Sequence, residues 1–144
     1  MMRVLPVHPE AVLVELPDLA AVLALQAALQ ADPVPGIAEM VPAARTLLIR
    51  LAGRVAEGGL AAEIGARLGR AAAPALGPEV EVTVTYEGAD LAEVAAHMGR
   101  PVAAVIATHQ AAAWQVAFCG FAPGFAYLTC DDPDFDLPRR ASPR

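Results

Sequence analysis

The sequence predicts an α+β fold, a mainly antiparallel sheet with helices on one face. Three observations carry this. Val80, Val82, Val84 and Tyr86 alternate with Glu81, Thr83 and Thr85, the period of a strand with one buried and one wet face. Leu60, Ile64 and Leu68 recur every four residues, which draws one apolar stripe along a helix. The Ala- and Leu-rich stretch after Asp18 runs to the stop signal Asp32-Pro33-Val34-Pro35-Gly36, as a second helix should.

The elements follow in order. Arg3 to Val7 leaves room for an additional strand. Val12, Val14 and Leu16 alternate with Leu13 and Glu15 and read as a strand. Asp18 can cap the next helix, with Leu19, Val22, Leu23 and Leu29 on its apolar side. Ile37 to Met40 and Thr46 to Leu51 read as strands, with Pro42 between them. Gly58 and Gly59 mark a break, and the stripe from Leu60 belongs to a helix ending near Pro74. Val80 to Tyr86 is the last strand of this first domain. Residues 1–87 thus form a β-α-β-β-α-β sandwich domain, and a second domain covers residues 88–144.

The second domain opens with two short helices. Asp90-Leu91-Ala92-Glu93 has capping-box form. Leu91, Val94, Ala95 and Met98 share a face, Gly99 ends the helix, and Pro101 fits the first turn of the next. There Val102, Val105, Ile106 and His109 share a face. Trp114 to Phe118 reads as a strand.

Composition limits the function. Of 144 residues, 56% are hydrophobic and 18% charged, enough for a core and too apolar for a disordered chain. No apolar run reaches the roughly 20 residues of a membrane span, and the N-terminus lacks the form of a secretory signal. The net charge is −6, and the cationic residues are all Arg, dispersed along the chain until its last positions. That excludes the basic stripe of a nucleic-acid binder. Cys119 and Cys130 form no Cys-x-x-Cys pair, and His8, His97 and His109 have no metal-ligand spacing. The expectation is a reduced, cytoplasmic protein with structural thiols and no metal site.

The informative segment is 119–144. It holds three of the four Phe, and Gly120-Phe121 and Gly124-Phe125 repeat a Gly-Phe pair. Pro123-Gly124 is the centre of a type II turn. Its glycines leave backbone N–H groups open to a carboxylate, phosphate or oxyanion; the alternative is an aromatic hairpin plugging the end of a barrel. An acidic run, Asp131, Asp132, Asp134 and Asp136, precedes Arg139, Arg140 and Arg144 on a stretch that Pro138 and Pro143 hold extended. These arginines suit bidentate recognition of an anion, or else form a solvated tail paired with the upstream aspartates. His109, at the end of a helix just before the loop, suits a general base or a hydrogen-bond donor; otherwise it is a core-edge histidine bonded to backbone.

These residues resemble a known family. Val116-Ala-Phe-Cys-Gly-Phe-Ala-Pro-Gly-Phe-Ala-Tyr-Leu128 and Leu137-Pro-Arg-Arg-Ala-Ser-Pro-Arg144 are similar to the motifs of the KipI / allophanate hydrolase subunit 1 family, which includes the B-type subunit of 5-oxoprolinase. Val41 to Arg50, the Asp90-Leu-Ala-Glu-Val94 helix start and Val105-Ile-Ala-Thr-His109 agree in the same order. The resemblance implies a cyclophilin-like β-barrel after the N-terminal domain, of which this chain would hold an incomplete beginning, since the family continues past Arg144. Tyr86-Glu-Gly-Ala-Asp90 is also shorter than the family's Tyr-Gly-Gly loop.

The resemblance further implies a subunit of a two-component, ATP-dependent amide C–N hydrolase for 5-oxoproline or an allophanate-like small acid. Its partner would be an allophanate hydrolase subunit 2 or a protein like the C-type subunit of 5-oxoprolinase. No phosphate-binding glycine loop is present, so ATP is expected at a shared or partner site. His109 and Tyr127 would be catalytic. Gly120, Phe121, Pro123, Gly124, Phe125, Arg139, Arg140 and Arg144 would face substrate. The alternatives are a KipI-like inhibitor of a sensor histidine kinase and a carboxyltransferase component of a urea carboxylase-like system.

Overall fold

The computed structural model describes residues 2–53, 59–68 and 77–142. The chain forms two compact units, Met1–Gly77 with Ala117–Tyr127, and Pro78–Val116 with Leu128–Arg144.

In the first unit, β1 (Arg3–His8), β2 (Ala11–Glu15), β3 (Ile37–Pro42) and β4 (Thr46–Leu51) make an antiparallel sheet in the order β1-β2-β4-β3. The additional strand at Arg3 is therefore real, and it lies at an edge, where Pro6 removes no interior ladder bond. Helices α1 (Leu19–Ala31) and α2 (Leu60–Leu68) pack together, and their apolar sides join the sheet in one core. Asp18 caps α1 as expected, its Oδ1 accepting from Ala21 N–H at 2.8 Å. The predicted end of α2 near Pro74 lies outside the described residues.

Register decides which residues are buried. Val12 faces Ile49 and Val14 faces Leu47 across the central pair, and all four are buried with Leu16, Val22, Leu25, Leu29 and Ile64. Leu13 and Leu48, one residue out of phase, stand on the other sheet face and are only half-buried. Cross-strand ion pairs, Arg3–Glu15 at 2.8 Å and Arg50–Glu39 at 2.9 Å, sit between neighbouring strands. Arg67 ties α2 to the end of α1, donating from Nε to the Asp32 carbonyl at 2.6 Å.

One predicted element is absent. Val80 to Tyr86 forms no strand: residues 77–88 carry no ladder, and Val80 and Val82 are 73% and 71% exposed. The observed order in the first unit is β-β-α-β-β-α. Alternation fixes the side-chain period of a segment but supplies no partner edge, and no described strand provides one.

The second unit contains α3 (Leu91–His97), α4 (Val102–Ala111) and a 3-10 turn at Pro133–Phe135. Gly99, at φ +62°, ends α3; Gly99 N–H reaches the Ala96 carbonyl and Arg100 N–H the Ala95 carbonyl, the paired bonds of a Schellman motif. Two local expectations change. Pro101 stands at the N-cap of α4 in extended backbone, φ −66° and ψ 148°, one position before the first turn. Asp90 is in helical backbone and makes no side-chain capping bond, because an N-cap carboxylate needs the extended conformation to reach back to N3. Beyond α4, β5 (Gln115–Cys119) and β6 (Ala126–Thr129) pair as a two-stranded sheet.

Candidate functional site

The second unit carries an open hollow of about 300 Å³. Leu91 and Val94 from α3, Val105 from α4, and Phe135 and Leu137 give it apolar walls; Thr85, Tyr86 and His109 supply its polar side chains. The helices present these residues for a simple reason. Leu91, Val94, Ala95 and Met98 fall three and four residues apart and share one side of α3. Val105 and His109 do the same on α4.

His109 sits in the last turn of α4. Its Nδ1 lies 2.8 Å from the Tyr86 hydroxyl oxygen. Its backbone carbonyl, one of the four a helix leaves open at its end, accepts from Trp114 Nε1–H at 2.8 Å. The imidazole is enclosed by Tyr86 at 5.6 Å, Trp114 at 4.8 Å and Phe135 at 5.7 Å between ring centres. Trp114 and Phe135 also touch each other, at 5.0 Å. Among the described residues Nε2 has no protein partner, and no buried side-chain polar atom is left unpaired. Nε2 is therefore not fully sealed from solvent.

The other candidates fall in two groups. In the loop between β5 and β6, Phe125 N–H donates to the Ala122 carbonyl at 3.0 Å and Gly124 has φ +76°, the type II turn that Pro123-Gly124 specifies. Gly120 N–H donates to the Phe125 carbonyl at 3.1 Å, so that donor is already used. Phe121 is 88% exposed and holds φ +71°, a left-handed conformation costly for a side chain of this size. Phe125 meets Phe121 at 5.5 Å and Tyr127 at 5.2 Å, and Tyr127 stacks on Phe118 at 4.5 Å. Tyr127 belongs to the first unit and His109 to the second.

The arginines separate. Arg140 is held by Asp90 at 2.8 Å and Glu93 at 2.6 Å, and not by the aspartates just upstream of it. Among those, Asp134 pairs with Arg100 at 2.6 Å, and Asp132 caps the 3-10 turn by accepting from Asp134 N–H. Arg139 is exposed and makes no ion pair among the described residues. Arg144 lies outside them.

Sequence reasoning missed Tyr86, Trp114 and Phe135 as partners of His109. The one available signal was Tyr86 itself, the sole hydroxyl-bearing member of an otherwise aliphatic Val series.

Comparison with known proteins places these features. The family described as "Carboxyltransferase domain, subdomain C and D" matches residues 2–144. Over 76 residues the chain is 45% identical to the B-type subunit of 5-oxoprolinase from Escherichia coli O157:H7, covering 49% of this chain and 35% of that one. The crystal structure of TTHA0988 in space group P212121 matches at a TM-score of 0.64 and 31% identity, over 100% of this chain and 29% of TTHA0988. Its P6522 form matches at 0.65 and 30%, over 94% and 27%. The chain thus spans 35% of the length of the curated relative. With the match running from residue 2 to residue 144, this chain belongs to the carboxyltransferase domain, subdomain C and D family, the group of KipI and the 5-oxoprolinase B-type subunits that its Gly-Phe-Ala-Pro-Gly-Phe motif resembles.

Proposed function

We propose that the chain is part of a subunit of a two-component, cytoplasmic, ATP-dependent amide C–N hydrolase acting on a small carboxylated substrate such as 5-oxoproline or an allophanate-like acid. The observation that carries this reading is the imidazole of His109, not fully sealed from solvent, at the wall of an apolar hollow of about 300 Å³, in a chain similar to the B-type subunit of 5-oxoprolinase. A hollow of that size is at the lower end of small-ligand sites. Its apolar walls strengthen a hydrogen bond from His109 to an amide oxygen. Water then adds to the polarised carbonyl carbon and passes a proton to the leaving nitrogen as the C–N bond breaks; ATP bound by the partner would supply further activation of the amide oxygen and would end as ADP and phosphate. The hairpin β5–β6 would belong to a cyclophilin-like barrel, its exposed Phe121 and Phe125 forming a rim for substrate or for the partner protein.

A triphosphate suits this hollow poorly. No arginine among the described residues lines it, and Arg140 is already neutralised by two carboxylates. We therefore assign ATP to the partner, a protein like the C-type subunit of 5-oxoprolinase.

The test is reconstitution with that partner and an assay of ATP-dependent opening of 5-oxoproline. Activity that falls about a hundredfold or more in His109→Ala, the scale of general acid–base groups, supports the reading. A complex that assembles and turns over normally without the imidazole refutes the site. A second reading, an inhibitor of a sensor histidine kinase, is favoured by the 88% exposure of Phe121. Binding to a kinase with no affinity for the hydrolase partner would select it.

A further inference from the structure

We infer that Tyr86 is a positioning residue that selects the tautomer of His109, so that the imidazole presents an Nε2–H donor, and not a basic lone pair, to the hollow. This deepens the proposed function and rests on it for its chemical meaning, though the tautomer itself is measurable without substrate.

The argument is one of hydrogen-bond accounting. The 2.8 Å contact between the Tyr86 oxygen and His109 Nδ1 can be made in two ways. Either Nδ1–H donates to the phenol oxygen, or the phenol O–H donates to a bare Nδ1. The phenol has one proton to give, and among the described residues Nδ1 is its only acceptor. If Nδ1 carried the proton, the phenol oxygen would have to serve as acceptor, its weaker role, and the Tyr86 O–H would be left to the solvent of the hollow it lines. With Tyr86 as donor the pair is satisfied, and the imidazole proton resides on Nε2, the nitrogen not fully sealed from solvent.

The ring cannot easily turn to exchange its atoms. Tyr86, Trp114 and Phe135 stand against it on three sides, and the Trp114 N–H holds the His109 carbonyl. A donor fixed in this way matches a substrate that offers an oxygen acceptor, an amide or lactam carbonyl. It does not match a water that must lose a proton at Nε2.

The experiment is ¹⁵N NMR of the ¹⁵N-histidine-labelled chain in alkaline buffer, with His109 assigned by its loss in His109→Gln. The expected result is a bare Nδ1 and a protonated Nε2 in the wild type, and loss of that preference in Tyr86→Phe. A wild-type imidazole protonated on Nδ1 overturns the proposal. So does a folded Tyr86→Phe variant with the tautomer unchanged. Should Tyr86→Phe not fold, the wild-type Tyr86 hydroxyl proton decides: a scalar coupling from it to His109 Nδ1 supports the proposal, and a Tyr86–His109 proton bonded to Nδ1 overturns it. A donor tautomer found in a chain whose reconstituted complex is insensitive to His109→Ala refutes the proposed function and leaves this inference standing.

Discussion

Arg140 Nη1 lies 2.6 Å from Glu93 Oε2, across 47 residues of sequence, and shares its charge with Asp90 in the residue before α3. An anionic ligand reaching for this guanidinium has to displace a carboxylate already there. Both side chains are substantially exposed, so the pair should contribute only about 0.2–1 kcal/mol. A double-mutant cycle with Arg140→Ala and Glu93→Ala in urea should return a coupling of that size at low salt and a smaller one at high salt. Coupling that ignores salt would contradict the surface geometry.

Truncation in the core of the first unit is a larger effect. Leu47 and Ile64 are fully buried and belong to one cluster with α1. Leu47→Ala or Ile64→Ala should each cost about 2–5 kcal/mol, read as a lower midpoint in denaturant.

The hairpin turn offers a purely backbone test. At Gly124 a Cβ would meet nothing within 4 Å, yet φ is +76°. Gly124→Ala should therefore cost about 1 kcal/mol through conformation alone. Phe121→Gly relieves the same kind of strain and should be close to neutral or mildly stabilising, because the ring it removes is mostly solvated. A large loss in Phe121→Gly would mean that the Phe121–Phe125 contact outweighs the strain.

The donor role of His109 predicts a graded series in the reconstituted enzyme. His109→Gln keeps an N–H donor on a chain of similar reach. It should retain more kcat than His109→Ala, which should fall by about a hundredfold. Equal losses in the two variants would favour a base over a donor.

Arg67 gives a prediction about pH. Its hydrogen bond with Glu63 raises the guanidinium pKa further above its already high ordinary value, against the opposing effect of burial and with help from Asp32. A raised folded-state pKa stabilises below the unfolded value and is lost only as pH climbs through the folded one. Both lie far above neutrality, so titration of Arg67 itself should add no slope to stability between roughly pH 6 and 9. Urea midpoints of the wild type and Arg67→Met should run parallel there.

What the sequence reveals about this molecule is what is settled locally. The Asp18 cap, the Gly99 stop, the strand at Thr46 and the Pro123-Gly124 turn depend on a few neighbouring residues, and each is found where its chemistry puts it. What fails is decided at a distance. The Val80 alternation needs a partner edge. The Asp90 carboxylate binds Arg140, 50 residues on. The histidine was recognisable by type and position, but its hydroxyl partner lies 23 residues upstream, and nothing in the spacing of Tyr86 and His109 announces their meeting.

The bare Val80–Thr85 segment has a practical outcome for anyone handling this polypeptide. It is a six-residue stretch with five β-branched side chains, Glu81 as its single charge and no proline, the make-up of a cross-β seed. Concentrated solutions should form oligomers there first, and a lysine in place of Val82 would act as a gatekeeper against it.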